Sequence, residues 1–227
     1  MNKNYFKITT LAIIGLFFVA GEVKAQVDLG VDVMSRYVWR GFDFGDSPSI
    51  QPALTFTAGG LEFGFWGAYA TNGNPAGTEL DIWASYTFDT DAGSFSLYAT
   101  DYTFPTHHMG GSETWFDSDA HFIELGAGYG GTDAFPVSVF AGMFVQGDDD
   151  NSVYVELGYD ADPLSFFLGF TPSEAAMYAT DGAGIVNLGI SGAKDLEITD
   201  AFSLGLSTSL VVNPYHENAH MLFGISF

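Results

Sequence analysis

Glu79-Leu80-Asp81-Ile82-Trp83-Ala84-Ser85-Tyr86-Thr87-Phe88 alternates without a break. Leu80, Ile82, Ala84, Tyr86 and Phe88 form one apolar set, and Glu79, Asp81, Trp83 and Ser85 fall between them. Successive side chains of an extended chain point to opposite faces, so a period of two over about ten residues marks a strand with two unlike faces. The same period recurs at Val27, Leu29, Val31, Val33, and at Leu61, Phe63, Phe65. It returns at Ile123, Leu125, Ala127, Tyr129, at Val153, Val155, Leu157, Tyr159, and from Phe202 through Leu204, Leu206, Thr208 and Leu210 to Val212. Helical period is nowhere competitive.

Gly, Asp, Asn and Pro punctuate these runs into about twelve strands. They are expected near 26–40, 47–58, 60–71, 78–89, 93–104, 119–130, 135–146, 150–160, 163–172, 183–192, 199–212 and 218–227, with ends good to about ±2–4 residues. Connections after the second, fourth, sixth and eighth strands are short, whereas Pro105–Asp119 and Pro172–Gly184 are long. Short turns at one end and longer loops at the other are the habit of bacterial transmembrane barrels. Two connections break the rule: 192–200 is long for a turn, and the loop after 135–146 is short.

Composition narrows the class. The chain has six Lys plus Arg against 28 Asp plus Glu, a formal net charge of −22, and no Cys. With no basic patch to meet phosphates, nucleic acid is excluded as a partner. Disorder is excluded too, because 47% of residues are hydrophobic and 16% aromatic; that is too much apolar surface for a chain that cannot fold. An acidic, aromatic, Gly-rich chain whose apolar residues are spread over alternate positions fits an all-β, antiparallel up-and-down transmembrane barrel of the outer-membrane type.

The first 25 residues read as a secretory signal. Lys3 and Lys7 precede the apolar run Leu11–Ala20, and Val23-Lys24-Ala25 offers small residues for cleavage before Gln26. Ten apolar residues fall short of the about 20 that a membrane helix needs. The expected organisation is therefore a signal peptide over 1–25 and one barrel domain over 26–227, placed in the outer membrane. Phe56, Phe88, Tyr129, Tyr159 and Phe227 fall at one end of their strands with the outward set, as an interfacial aromatic girdle would. The chain closes on Met221, Phe223, Ile225 and Phe227 in alternation, the pattern recognised by barrel-assembly machinery, which is an expected partner along with outer-membrane lipid.

Four segments, Ser35–Leu54, Gly60–Ala68, Glu79–Phe88 and Asp101–Pro105, resemble the TorF-like porin family, whose mature chains open with Ser-x-Tyr-x-aromatic-Arg-Gly. Arg40 carries that resemblance; Arg36 stands where the family more often has an acidic or polar residue. The resemblance covers roughly the first 80 mature residues and implies a barrel and a pore, without a substrate.

If Val27, Leu29, Val31 and Val33 face lipid, the even positions face the lumen. A charge on the lipid side at mid-depth costs about 2–4 kcal/mol, which agrees with that parity for Arg36 and Arg40. The same rule sends Glu62, Glu79, Asp81, Glu124 and Glu156 inward. Arg36, Arg40 and these five acids are the candidate pore-lining residues. The arginines could set up a transverse field across a constriction or pair with carboxylates and brace the lumen; alternatively Arg40 could only bond backbone carbonyls of the first loop. Tyr37 and Trp39, on odd positions of the same stretch, are expected in an upper lipid-facing girdle. Inward positions hold both small residues and large rings, and that mixture does not set the bore.

The expected function is a porin-like channel passing small polar, neutral or cationic solutes, since carboxylates outnumber arginines. The alternative is a structural or surface-binding barrel without an open pore. A lipid hydrolase built on His121, which has outward parity, ranks below both: outward Ser is scarce beside it and no G-x-S-x-G motif occurs. No cofactor and no metal site are expected. His107, His108, His216 and His220 read as loop histidines, and Asp148-Asp149-Asp150 as a solvated turn.

Overall fold

A computed structural model describes residues 25–105, 115–200 and 202–227. Twelve strands close into an antiparallel barrel: β1 (Ala25–Met34), β4 (Ser49–Ala58), β5 (Leu61–Ala70), β6 (Thr78–Thr90), β7 (Gly93–Thr103), β8 (His121–Thr132), β9 (Phe135–Gln146), β10 (Val153–Ala161), β11 (Leu164–Thr171), β12 (Gly184–Thr199), β13 (Phe202–Asn213) and β14 (Asn218–Ser226). Each pairs with its sequence neighbour, and β1 closes the ring on β14 with Val33 opposite Ile225. The ring closes over Asp32–Met34 of β1, and one register holds because a one-residue slip would turn every outward apolar side chain to the other face. The expected all-β fold and its twelve barrel strands are as read from the alternation. The expected signal peptide, 1–25, lies outside the described residues apart from Ala25.

Tight turns join the strands at the lower end, which carries Ala25 and Phe227; the longer connections gather at the upper end. The long 192–200 connection proves to be strand: β12 runs on to Thr199, pairing Leu196 with Leu204 and Glu197 with Ser203. Apolar side chains line the outside, among them Val27, Leu29, Leu97, Phe166, Met221 and Phe223, all exposed. At the lower end Phe88, Phe95 and Tyr129 form a chain of outward rings, with centroids 5.5 and 5.2 Å apart.

The first strand is the major correction. It stops at Met34 instead of running to residue 40. Ser35 ends it, its N–H donating to the Phe223 carbonyl (2.8 Å) and its hydroxyl oxygen accepting from the Phe223 N–H (2.9 Å). Barrel pairing resumes with Ser49 opposite Met34, so residues 35–48 are an excursion between two adjacent strands. Inside it, β2 (Tyr37–Trp39) and β3 (Phe42–Phe44) form a separate hairpin. The hairpin folds into the barrel, not over its rim.

The hydrophobic core is therefore inside the upper half of the lumen. Phe122, Phe144, Tyr154 and Val186 from the wall meet Tyr178 and Ala175 from the 172–183 loop, with Trp39 and Phe42 of the hairpin packed against them. Tyr37 and Trp39 thus belong to the interior, and their expected place in an outer girdle is wrong. Tyr37 packs on Trp66, with centroids 5.2 Å apart, and Trp39 stacks on Tyr178 at 5.7 Å and 14°.

Candidate functional site: a hairpin latched inside the lumen

The hairpin's two-residue tip is Arg40-Gly41, both with positive φ (48° and 86°). That pair of dihedrals matches the twist of the flanking strands and is the usual tight hairpin connection. An arginine rarely adopts it, and here its side chain is held from several sides. Arg40 donates to both oxygens of Glu124, Nη1 to Oε1 at 2.7 Å and Nη2 to Oε2 at 2.9 Å. It also donates to the Tyr178 hydroxyl oxygen. Its guanidinium lies 4.3 Å from the Tyr154 ring centroid, 4.6 Å from Trp39 and 5.2 Å from Phe140. Tyr102 donates a further hydroxyl bond to Glu124 Oε2 at 2.9 Å. Arginine suits the position because its planar fork meets a carboxylate at two points while its faces stack on rings.

The tip abuts β12 where that strand bulges. Gly169 pairs with Asn187 but Phe170 with Ile185, so Val186 is an inserted residue. Val186 and Asn187 both turn inward and are buried, while Ile185 and Leu188 stay outside. A Cβ on Gly41 would lie 1.9 Å from the Val186 carbonyl oxygen, so only glycine lets the hairpin seat this deeply. Asn213 on β13 donates to the Gly41 carbonyl at 3.4 Å.

The other contacts of the hairpin are of two kinds. Tyr37 donates to Glu79 Oε2 at 2.8 Å, both side chains being buried. Burial first, and the neighbouring Glu79 charge second, push the Tyr37 hydroxyl well above the usual phenol range, so it stays protonated and keeps donating. Arg36 instead bonds Asp43 and Asp46 of the same excursion, with 39% of its side chain exposed against 12% for Arg40. Those bonds, to Asp46 first, raise the Arg36 guanidinium further. Arg36 stabilises the hairpin's own shape, and Arg40 ties it to the wall.

The remaining pore-lining candidates separate by level. Glu79 and Asp81 face the hairpin from β6 and are buried; Glu124 is the latch on β8. Glu62, opposite Ser85 and Thr57, and Glu156, opposite Gly169 and Phe140, face the lumen without pairing with either arginine. Of the three readings offered for the arginines, bracing by carboxylates describes Arg40.

Large inward rings do not fill the lower lumen, because they lie flat against glycines of adjacent strands. A Cβ on Gly64 would meet the Trp83 ring at 2.5 Å, on Gly126 the Phe140 ring at 2.7 Å, and on Gly189 the Phe167 ring at 2.2 Å. This explains why the mixture of small and large inward residues resisted reading by composition. Below the hairpin a cavity of about 230 Å³ stays clear, lined by Ser94, Ser96, Tyr98, Ser138, Phe140 and Glu156.

Outside the lumen, His121 has the outward parity expected of it. Nδ1 meets the Asp101 carboxylate at 2.8 Å and Nε2 the Trp115 carbonyl at 2.8 Å. The adjacent Thr103 hydroxyl donates to the Leu80 carbonyl and accepts from Trp115 Nε1. Both ring nitrogens and the nearest hydroxyl are thus engaged, and Trp115 is held by both side chains. His107 and His108 lie outside the described residues. His216 bonds the Tyr178 carbonyl at 3.0 Å. Among the described residues no group of three or more His, Asp or Glu is placed to hold a metal. The acidic run serves as an anchor. Asp148 accepts from the Ser152 N–H, and Asp150 from the Ser152 hydroxyl and the Ala176 N–H, which fixes the loop bearing Tyr178.

Residues 20–189 match the profile of a bacterial family described as being of unknown function, Gcw_chp. The chain belongs to that family. No curated protein and no solved structure matches it significantly. The matched span includes the whole hairpin, its latch Glu124 and the bulge at Val186. In this Gcw_chp chain, residues that alternation alone did not single out, Tyr102 and Tyr178, complete the Arg40 site. The signal for the hairpin was present in Trp39-Arg40-Gly41-Phe42, a glycine-bearing two-residue turn between aromatic residues.

Proposed function

We propose that this protein is an outer-membrane channel whose resting lumen is closed by the 35–48 hairpin, and that it admits small neutral or cationic solutes when the hairpin leaves. The carrying observation is the division of the lumen: a latched hairpin fills the upper half and a clear acidic cavity occupies the lower. A barrel meant only as scaffold has no need of a separate hairpin packed into its lumen and tied to the wall through Arg40 and Tyr37. Supporting the location, exposed apolar side chains such as Leu29, Leu97, Phe166 and Phe223 recur on the outside of strand after strand, where water-soluble monomers rarely expose large contiguous apolar patches. Twelve strands stand between the eight that side chains just fill and the sixteen that leave an aqueous channel, so displacing one hairpin decides whether solute passes. The resemblance to TorF-like porins points the same way. Orientation follows from the short turns, with the lower end towards the periplasm and the hairpin entering from outside. Outer-membrane lipid, and assembly machinery acting on the strand that ends at Phe227, are the partners this reading requires.

The test is conductance in planar bilayers. Wild-type protein is expected to show rare, brief openings, and a variant with residues 37–44 replaced by a short Gly-Ser linker to conduct steadily. No conductance from the folded variant overturns the channel reading and favours a structural barrel. That second reading rests on the satisfaction of the latch, in which Arg40, Glu124, Tyr102 and Tyr178 leave no interrupted bond for a moving part.

A further inference from the structure

The cavity below the hairpin carries more than a free volume. We propose that it is a binding site for a small organic cation bearing a guanidinium or primary ammonium group. The inference deepens the channel reading, on which only its transport half rests.

The wall chemistry is the first ground. The cavity, about 230 Å³, presents the rings of Tyr98 and Phe140, the hydroxyls of Ser94, Ser96 and Ser138, and one carboxylate, Glu156. Tyr98 and Phe140 meet edge to face, with centroids 5.7 Å apart, and so offer a negative ring surface beside the acid. Sites for drug-sized ligands begin at about 300 Å³, so this one takes a smaller molecule.

Charge is the second ground. Glu156 Oε2 accepts from the Tyr154 hydroxyl and from Asn187 Nδ2 at 2.9 Å, two neutral donors. These bonds orient the carboxylate without cancelling its charge. Among the described residues the basic side chains are Arg36, Arg40 and Lys194. Arg36 is engaged with Asp43 and Asp46 and Arg40 with Glu124 of the wall, and Lys194, opposite the outward Leu206, is on the barrel's outer face. The lower lumen holds an oriented acid and no described cation to answer it.

The third ground is a resident example. One level higher, the Arg40 guanidinium sits over Phe140 and Tyr154 and on the carboxylate of Glu124. Phe140 faces both compartments, and Tyr154 links them by contacting Arg40 and bonding Glu156. The wall already accommodates a guanidinium once, with its own side chain as occupant. A solute cation seated at Glu156 is then next to the site that Arg40 occupies.

Isothermal titration of the full, folded protein in detergent micelles with propylguanidinium chloride tests the site, with glucose and glutamate as comparison solutes. Saturable binding of propylguanidinium is expected, weakened at least tenfold by Glu156→Gln and by the cavity-filling Ser96→Phe. Both variants are checked for the wild-type circular dichroism spectrum. Undiminished binding by Glu156→Gln, no binding by wild type, or tighter binding of glucose or glutamate overturns the proposal. Conductance separates the two claims. A hairpin-deleted barrel that conducts without binding propylguanidinium retains the channel and loses the site; binding without conductance does the reverse.

Discussion

Arg40 and Glu124, 84 positions apart in sequence, meet through two parallel hydrogen bonds inside a closed barrel, at 2.7 and 2.9 Å. Their side chains are 12% and 4% exposed, so neither charge has much water to fall back on. Removing one partner of such a pair leaves the other buried and unpaired, at a cost of about 3–5 kcal/mol. Arg40→Ala is therefore expected to release the hairpin and to give long-lived conductance in planar bilayers. Arg40→Ala/Glu124→Gln should recover much of the lost resistance to urea while remaining conductive. A single variant as closed and as stable as wild type would show that the pair does not latch the hairpin.

Arg36 supplies the contrast. It is 39% exposed and bonds only residues of its own excursion, the exposed Asp46 and the half-buried Asp43; an exposed ion pair contributes about 0–1 kcal/mol and a partly buried one more. Arg36→Ala should leave closed-state conductance near wild type and shift the urea midpoint less than Arg40→Ala does. Conductance equal to that of Arg40→Ala would place the latch in the hairpin's own fold.

Gly41→Ala tests the seat at the tip. The added Cβ meets the Val186 carbonyl oxygen at 1.9 Å, in a residue whose φ of 86° already disfavours a side chain. Trp39, stacked on Tyr178 when docked, should shift its fluorescence towards that of a water-exposed indole. Gly73→Ala is the control, since Gly73 shares a positive φ of 75° but has nothing within 4 Å of the added atom. A matching spectral change in both would assign the effect to backbone strain alone.

Gly142→Ala disturbs the latch from the wall side. Its Cβ would stand 2.3 Å from Glu124 Oε1, so the carboxylate must rotate away from Arg40. Conductance resembling that of Arg40→Ala is expected, with the barrel still formed by circular dichroism. A closed Gly142→Ala protein would show that Glu124 can retreat and still hold the guanidinium.

Tyr37→Phe removes the hydroxyl that bonds Glu79 and leaves a buried acceptor short of a partner, which costs about 1–3 kcal/mol. Hydrogen exchange over residues 35–48 should speed up several-fold, with the barrel strands unchanged. Unaltered exchange there would remove this bond from the forces holding the hairpin.

The barrel was legible in the sequence because its cause is local. Alternation in Leu80, Ile82, Ala84, Tyr86 and Phe88 states which face each side chain takes, and strand pairing between sequence neighbours needs only short turns. Inward placement of Glu79, Asp81, Glu124 and Glu156 followed from the same parity. Residues 37–44 defeated that logic, since a hairpin alternates as a strand does, and Tyr37 and Trp39 carry the pattern of a continuing β1. Whether the chain runs on in the wall or turns into the lumen depends on partners for both faces of the segment. Those partners are Trp66 and Glu79, Glu124 and Tyr178, and the carbonyl of Val186, far apart in sequence until the barrel closes. Periodicity by itself thus determined a closed, outward-apolar barrel with an acid-lined interior. Only the tertiary structure decided that Arg40 would be tied to Glu124 inside the barrel, because a buried charge goes where the enclosed space supplies a carboxylate to meet it.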